Sequence, residues 1–243
     1  MNKISVFDTE ELVSVAAADF IADLCRKSIE NSGKFTIALS GGSTPDKLFV
    51  LLANPPYNNV IDWKNTFIFW GDERYLPESD ANNNSHQSKK LLLNNVPVPA
   101  ENIFVVPVKM TPPKAAIHYE QTLKLFFKNQ HPAFDLILLG MGDNGHTASL
   151  FPHSSILKEK TALVKEVFVK EVEMYRISFT ASLINHAKNI LFLVTGKKKA
   201  SMLHTVIDGK KEVEKYPAQM IKAEAGNHLY WFIDKEAAKK LKK

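Results

Sequence analysis

The sequence predicts an α/β fold in which a mostly parallel sheet is covered by helices on both faces. Apolar runs of four or five residues recur along the chain, as is typical of strands buried on both faces. Segments with the apolar spacing of helices lie between these runs, and glycine-rich turns join several of them. The apolar runs are 35–39, 66–70, 136–139, 190–194 and 229–233.

Helices and further strands are predicted between these runs from apolar spacing and capping residues. The first helix begins at Asp8 or Thr9, either of which can accept a backbone N–H, and ends at Gly33. Polar loops are expected at 54–59 and 77–84. The other expected elements are helices at 85–93, 112–128, 181–187 and 197–206, strands at 103–106 and 175–179, an extended segment at 161–169, and a last helix capped by Asp234.

The bulk properties predict a single domain over residues 1–243, because no shift in composition marks a boundary. No run reaches the length of a membrane span and no signal-peptide pattern opens the chain, so a cytoplasmic protein without a membrane partner is expected. The net charge of +5 suits an anionic small substrate but is too dispersed to predict nucleic-acid binding. The lone Cys25 excludes an internal disulfide, and no Cys/His cluster has the spacing of metal ligands.

The turn after run 136–139 carries the clearest signal of chemistry. Gly140, Gly142 and Gly145 allow backbone N–H groups to approach a ligand, and His146 can move a proton near neutral pH. The glycine spacing also matches a dinucleotide-binding fingerprint. That fingerprint requires a long helix, however, and here a proline follows seven residues after the third glycine. A strand-to-helix turn with an incidental histidine is the alternative.

The turn Ser40-Gly41-Gly42-Ser43-Thr44-Pro45 is predicted to be an anion site. Its two glycines allow a tight turn, and Ser43 or Thr44 can cap the helix that follows. Free N–H groups and the helix dipole at such a start attract anions. The turn lacks the ending of a Walker A loop, and an ordinary capped turn is the alternative.

Charged residues follow two other apolar runs. Asp72 and Arg74 come after the run 66–70, where they serve either a ligand or a local ion pair, since unpaired buried charges are costly. Arginine in particular can bind a phosphate through two hydrogen bonds. Lys199 follows the run 190–194. Because parallel strands end at one sheet edge, these residues are expected to meet His146 and the glycine-serine turn there.

Four segments resemble the 6-phosphogluconolactonase family, in the same order along nearly the whole chain. The stretch Gly-His-Thr-Ala-Ser-Leu-Phe-Pro at 145–152 is specific to that family, whereas Ser-Gly-Gly-Ser-Thr-Pro is shared with glucosamine-6-phosphate deaminases. The other two segments are Trp-Gly-Asp-Glu-Arg at 70–74 and the stretch 194–200. The resemblance implies a sugar-phosphate isomerase/deaminase-like fold that hydrolyses 6-phospho-D-glucono-1,5-lactone in the oxidative pentose phosphate pathway, with no cofactor or metal. A monomer or weak homodimer is expected.

The resemblance also implies a role for individual residues. His146 corresponds to the general base that activates water, supported by position 144, and Asp72 lines the sugar end. The phosphate-binding positions correspond to Gly41, Gly42, Ser43, Thr44, Arg176 and Lys199, and a substrate-contacting arginine corresponds to Arg74. We further expect the backbone N–H groups of Gly142 and Gly145 to stabilise the oxyanion.

One departure from the family pattern concerns the histidine. The family usually has Asp-Gly-His, whereas this chain has Asn144-Gly145-His146 with the acid moved to Asp143. Asparagine can orient the imidazole ring but cannot stabilise its charged form as a carboxylate does. The alternatives are a glucosamine-6-phosphate deaminase or isomerase with an enolising base, and a non-catalytic sugar-phosphate sensor. The intact histidine and the lack of a DNA-binding module count against a sensor.

Overall fold

The computed structural model describes residues 2–242, so the two end residues of the expected domain lie outside it. Its strands are β1 (Asn2–Phe7), β2 (Phe35–Leu39), β3 (Thr66–Trp70), β4 (Asp72–Arg74), β5 (Leu136–Leu139), β6 (Val164–Val169), β7 (Met174–Phe179), β8 (Asn189–Val194) and β9 (His228–Asp234). Its helices are α1 (Glu10–Ser32), α2 (Ser43–Leu52), α3 (Tyr57–Val60), α4 (Asn84–Leu91), α5 (Pro112–Phe126), α6 (Ala181–Asn185), α7 (Ala200–Asp208) and α8 (Lys235–Ala238).

The main sheet has the strand order β1-β9-β8-β5-β2-β3, and every neighbouring pair in it is parallel. Every residue of its central strands β5 and β8 is buried, as the apolar runs predict. The prediction of a mostly parallel sheet is therefore confirmed.

Helices cover both faces of this sheet. Tyr230 and Phe232 of β9 pack edge-on against Phe20 of α1, with ring centroids 4.7 and 5.6 Å apart. Because side chains alternate along a strand, Trp231 points to the opposite face, where it lines a groove with Val206 of α7. This arrangement leaves the ends of the strands as the open part of the sheet.

A small antiparallel sheet, ordered β4-β7-β6, stands beside the main one. The sequence predicts a polar loop after Trp70, but residues 72–74 pair with β7 instead. Gly71 links the two sheets, since its N–H donates to the carbonyl of Leu39 at 2.9 Å and its carbonyl accepts from Phe179 at 2.8 Å. The second sheet thereby places the charged residues that follow β3 at the edge of the main sheet.

Among the other predictions of local structure, those for the helix ends are confirmed and one predicted strand is wrong. Thr9 caps α1, Gly33 ends it with φ 74°, and Asp234 caps α8, as expected. The predicted strand 103–106 is wrong, since only Ile103 forms a bridge to β3, and Pro107 has no N–H to continue pairing. β1 was not predicted.

Within residues 2–242, no helix is both long and apolar enough to cross a membrane.

Candidate active site

A cleft of about 240 Å³ opens where β2, β5 and β8 end. The loops after Leu39, Trp70, Leu139 and Val194 all contribute to it, so their predicted convergence is confirmed. Every expected site residue lines this cleft except Asn144 and Gly145, which lie behind His146 in the same turn.

The His146 ring is oriented by Asn144. Its Nδ1 lies 2.6 Å from Asn144 Oδ1, and that same oxygen accepts the backbone N–H of His146 at 3.2 Å. The backbone donor identifies the asparagine atom as oxygen, so Nδ1 must carry the hydrogen of this bond. The neutral ring is therefore unprotonated at Nε2, the nitrogen left to act as a base.

Packing fixes the position of the same ring. His146 stacks on Phe151, with ring centroids 4.0 Å apart and planes inclined by 18°. On its other side, a Cβ placed on Gly142 would overlap the imidazole. Glycine is needed at 142 because the ring occupies the space of a side chain there.

The environment of His146 disfavours its charged form. Burial lowers the pKa of His146 to about 4, and the positive charges of Lys199 and Arg176 act in the same direction, while Asp143 opposes them. The ring is therefore neutral at neutral pH and able to accept a proton.

The N–H groups of the glycine turn are already used within the turn. Gly142 donates to the carbonyl of His146 at 2.8 Å, and Gly145 donates to the carbonyl of Gly142 at 3.0 Å. Neither is free for an oxyanion in this conformation, so the expectation for these two glycines is corrected to a structural role. Gly145 has φ 79°, which a glycine adopts without strain. Residues 146–154 contain no helix, and the dinucleotide fingerprint therefore lacks its required context.

Free N–H groups lie instead at the start of α2. The N-cap is Gly42, with φ 120°, so the expected capping by Ser43 or Thr44 is wrong. The hydroxyl of Thr44 lies 3.0 Å from that of Thr195. The N–H groups of Gly42, Ser43 and Thr44 have no acceptor among residues 2–242. Unpaired N–H groups at a helix start form an anion site.

Two arginines face each other directly across the β4–β7 pair. Arg74 is paired in register with Arg176, and both side chains line the cleft. Within the described range neither forms an ion pair, and Nε of Arg176 is buried without a hydrogen-bond partner. Like charges opposite each other are unfavourable. This arrangement is suited to binding an anion between the two arginines.

Lys199 enters the cleft from the segment before α7. Its Nζ lies 2.5 Å from Oδ1 of Asp143, a side chain that is 74% exposed. This contact lowers the pKa of Asp143. The lysine expected to bind phosphate is thus held by a solvent-exposed carboxylate.

Asp72, Ser149 and Asn84 form the wall near the small sheet. Asp72 accepts a hydrogen bond from Ser149 Oγ at 2.6 Å, and its carbonyl accepts from the carboxamide of Asn84 at 2.9 Å. Burial raises the pKa of Asp72, and Arg176 and Arg74 oppose that effect. Ser149 and Asn84 were missed as site residues. Ser149 stands in the family-specific stretch, whereas nothing in the asparagine-rich loop distinguishes Asn84 from its neighbours.

Known proteins resemble this chain along its whole length. The profile of a family described as glucosamine-6-phosphate isomerases/6-phosphogluconolactonase matches residues 8–231. The 6-phosphogluconolactonase of Haemophilus influenzae is 42% identical over 99% of this chain and 100% of its own length. The one from Synechocystis is 35% identical over 99% and 98%.

Solved structures agree with the sequence relatives. The 6-phosphogluconolactonase of Trypanosoma cruzi superposes with a TM-score of 0.87 at 28% identity, covering 100% of this chain and 98% of that one. A monomeric glucosamine-6-phosphate deaminase gives 0.82 at 21% identity, which indicates a shared fold alone. The chain therefore belongs to the glucosamine-6-phosphate isomerase/6-phosphogluconolactonase family.

Proposed function

We propose that the chain hydrolyses 6-phospho-D-glucono-1,5-lactone to 6-phospho-D-gluconate, the lactonase step of the oxidative pentose phosphate pathway. The observation that carries the proposal is the full-length match to relatives named 6-phosphogluconolactonase, at up to 42% identity. It is further supported by a neutral histidine beside three cationic side chains in one cleft. The working form is a monomer or weak homodimer, which is supported by a cleft built from one chain.

In the proposed mechanism, the phosphate of the lactone binds to the cationic groups. Arg176 and Lys199 supply charge, and the N–H groups of Gly42, Ser43 and Thr44 supply hydrogen bonds at the positive end of α2. The unpaired Nε of Arg176 and the free N–H groups support this assignment. Arg74 orients the sugar ring from the facing strand.

His146 then acts as the general base. Nε2 takes a proton from water, whose oxygen attacks C1 of the lactone to give a tetrahedral oxyanion. The bond between C1 and the ring oxygen breaks, and the imidazolium returns its proton to that oxygen. Asn144 holds Nδ1–H throughout, which keeps Nε2 directed to the reaction.

Substrate binding makes His146 a stronger base in this mechanism. The cations Lys199 and Arg176 lower the pKa of His146. A bound dianionic phosphate neutralises part of their charge, and the pKa of the ring rises accordingly. The substrate thus supplies part of the negative charge that Asn144 lacks.

The test is to add purified protein to fresh 6-phosphogluconolactone and to follow lactone loss against the spontaneous rate. We expect a large acceleration with one 6-phosphogluconate formed per lactone. The same preparation is incubated with glucosamine 6-phosphate and assayed for ammonia. Ammonia release without lactone hydrolysis would identify a deaminase, and tight binding of 6-phosphogluconate without either reaction would identify a sensor.

A further inference from the structure

Glu73, the central residue of β4, is a buried carboxylate that the proposed mechanism does not use. It is 1% exposed, and no lysine, arginine or histidine in the described part of the chain forms an ion pair with it. A carboxylate without a cation is costly to bury unless hydrogen bonds compensate for the lost water.

Three backbone N–H groups provide part of that compensation, and burial still raises the pKa of Glu73 to about 7. Oε1 accepts from Arg74 at 2.8 Å and from Asn84 at 2.6 Å, and Oε2 accepts from Ser85 at 2.9 Å. Asn84 and Ser85 are the first residues of α4, so the carboxylate also lies at the positive end of that helix. A carboxamide fits poorly, because its NH₂ group would face one of the donors.

Two of these three donors belong to residues whose side chains line the cleft. Arg74 ends β4 and Asn84 begins α4, so Glu73 joins the two ends of the loop 75–83. The carboxamide of Asn84 is turned into the cleft by its bond to the carbonyl of Asp72 at 2.9 Å.

The loop in turn directs the Arg74 side chain. Nη1 of Arg74 donates to the carbonyl of Asn82 at 3.1 Å. The backbone N–H of Asn82 donates to Asp80 Oδ1 at 2.8 Å, which closes a local turn. The guanidinium therefore takes its position from a loop whose two ends are held by one carboxylate.

The geometry points to Glu73 as a positioning residue for the lactonase reaction, acting through the backbone N–H groups of Arg74 and Asn84 on the side chains that meet the substrate. This inference rests on the proposed function, in which Arg74 orients the sugar ring, and it adds Asn84 as a second cleft-lining side chain that meets the substrate. If the side chains of Arg74 and Asn84 are held less firmly, the substrate and the transition state both bind more weakly. Such a loss raises KM and leaves kcat nearly unchanged.

The test compares Glu73→Gln with Glu120→Gln. Glu120 also accepts two backbone N–H bonds, from Leu163 at 2.7 Å and Val164 at 3.1 Å, but it does not line the cleft. We expect E73Q to raise KM by about tenfold with kcat within about threefold of wild type, and E120Q to change neither. A wild-type KM in folded E73Q, or a loss confined to kcat, would overturn the inference.

A double-mutant cycle identifies the route of the effect. In an R74A/N84A background, E73Q is expected to change KM by less than about twofold, because its targets are gone. A full tenfold effect in that background would mean that Glu73 acts elsewhere, and would overturn the inference.

Two further measurements separate the possible failures. If E73Q does not fold, Glu73→Asp is tested in its place. This substitution keeps the charge on a shorter side chain and is expected to raise KM by a smaller factor. A wild-type KM in E73D would then overturn the inference.

The wild-type protein is assayed first, because absence of lactone hydrolysis contradicts the proposed function. Glu73 is in that case tested by calorimetry, in which E73Q is expected to bind 6-phosphogluconate about tenfold more weakly.

Discussion

Asn144 is the residue at which this chain departs from the Asp-Gly-His pattern of the family that it resembles. Its oxygen fixes the tautomer of His146 through the 2.6 Å contact to Nδ1. It contributes no charge, however, so the imidazolium that forms during the reaction is stabilised less than it would be beside a carboxylate. Orientation of the base and stabilisation of its charged form are therefore separated in this chain.

Asn144→Asp is expected to raise kcat by about three- to tenfold, because a carboxylate raises the pKa of His146. For the same reason, the acidic limb of the kcat–pH profile is expected to move to higher pH. The profile is recorded from about pH 4 to 8. The exposed Asn95→Asp serves as the control. An unchanged profile would show that a charge at position 144 does not alter the pKa of His146.

The wild-type pH dependence follows from the pKa of His146, which burial lowers to about 4. A general base works in its unprotonated form, so activity is retained above the pKa and lost as the pH falls through it. We expect kcat/KM, which reports the pKa of the free enzyme, to stay flat between about pH 6 and 8 after correction for spontaneous hydrolysis and to fall only on the acid side. A half-maximal point near pH 7 would contradict this environment for the ring.

The contact between Asp143 and Lys199 competes with the substrate phosphate. Asp143→Asn is expected to lower KM by about two- to fivefold, since an exposed ion pair is worth about 1 kcal/mol or less, and to lower kcat slightly, because Asp143 raises the pKa of His146. Asp8→Asn is the matched control, because Asp8 forms an exposed pair with Lys235 far along the chain. An increase in KM would mean that Asp143 aligns the lysine rather than competing for it.

At the scale of elements, the β4–β7 pair concentrates charge at the expense of stability. The register places Arg74 opposite Arg176, and burial lowers the pKa of Arg176. Neither guanidinium forms an ion pair within 4.0 Å among the described residues, although the charges of Asp72 and Glu73 raise the pKa of Arg176. A site that holds like charges together in the absence of ligand is typical of a stability cost accepted for binding.

Arg176→Met is therefore expected to raise the thermal midpoint of the ligand-free protein by about 2–4 °C, equivalent to about 1 kcal/mol, while raising KM strongly. Differential scanning fluorimetry measures the first effect and initial rates the second. Arg26→Met on the surface of α1 is the control. A clear drop in the midpoint would show that the buried guanidinium stabilises the fold.

At the scale of the whole molecule, the sequence predicts the main sheet because its central strands are continuous apolar runs. The meeting of four loops follows from parallel strands ending at one edge. β1 escapes prediction because it is an edge strand that exposes Ile4 and Val6. β4 is not predicted because its three charged residues depart from the pattern of a buried strand.

The finer features of the site depend on contacts that a sequence does not encode locally. Arg176 is placed by a second sheet, and only the family resemblance indicates it. The N–H groups of Gly142 and Gly145 are used within their own turn, which is a matter of backbone conformation. Glu73 acts across the loop 75–83, so its role emerges only when α4 is placed against β4.

The most direct test of the central claim is the effect of His146→Ala on turnover and on product affinity. We predict that kcat for 6-phosphogluconolactone falls by at least about a hundredfold, because a general base is lost, while calorimetry shows 6-phosphogluconate binding within about threefold of wild type. A mutant that turns over the lactone at nearly the wild-type rate would contradict the assignment of His146 as the base.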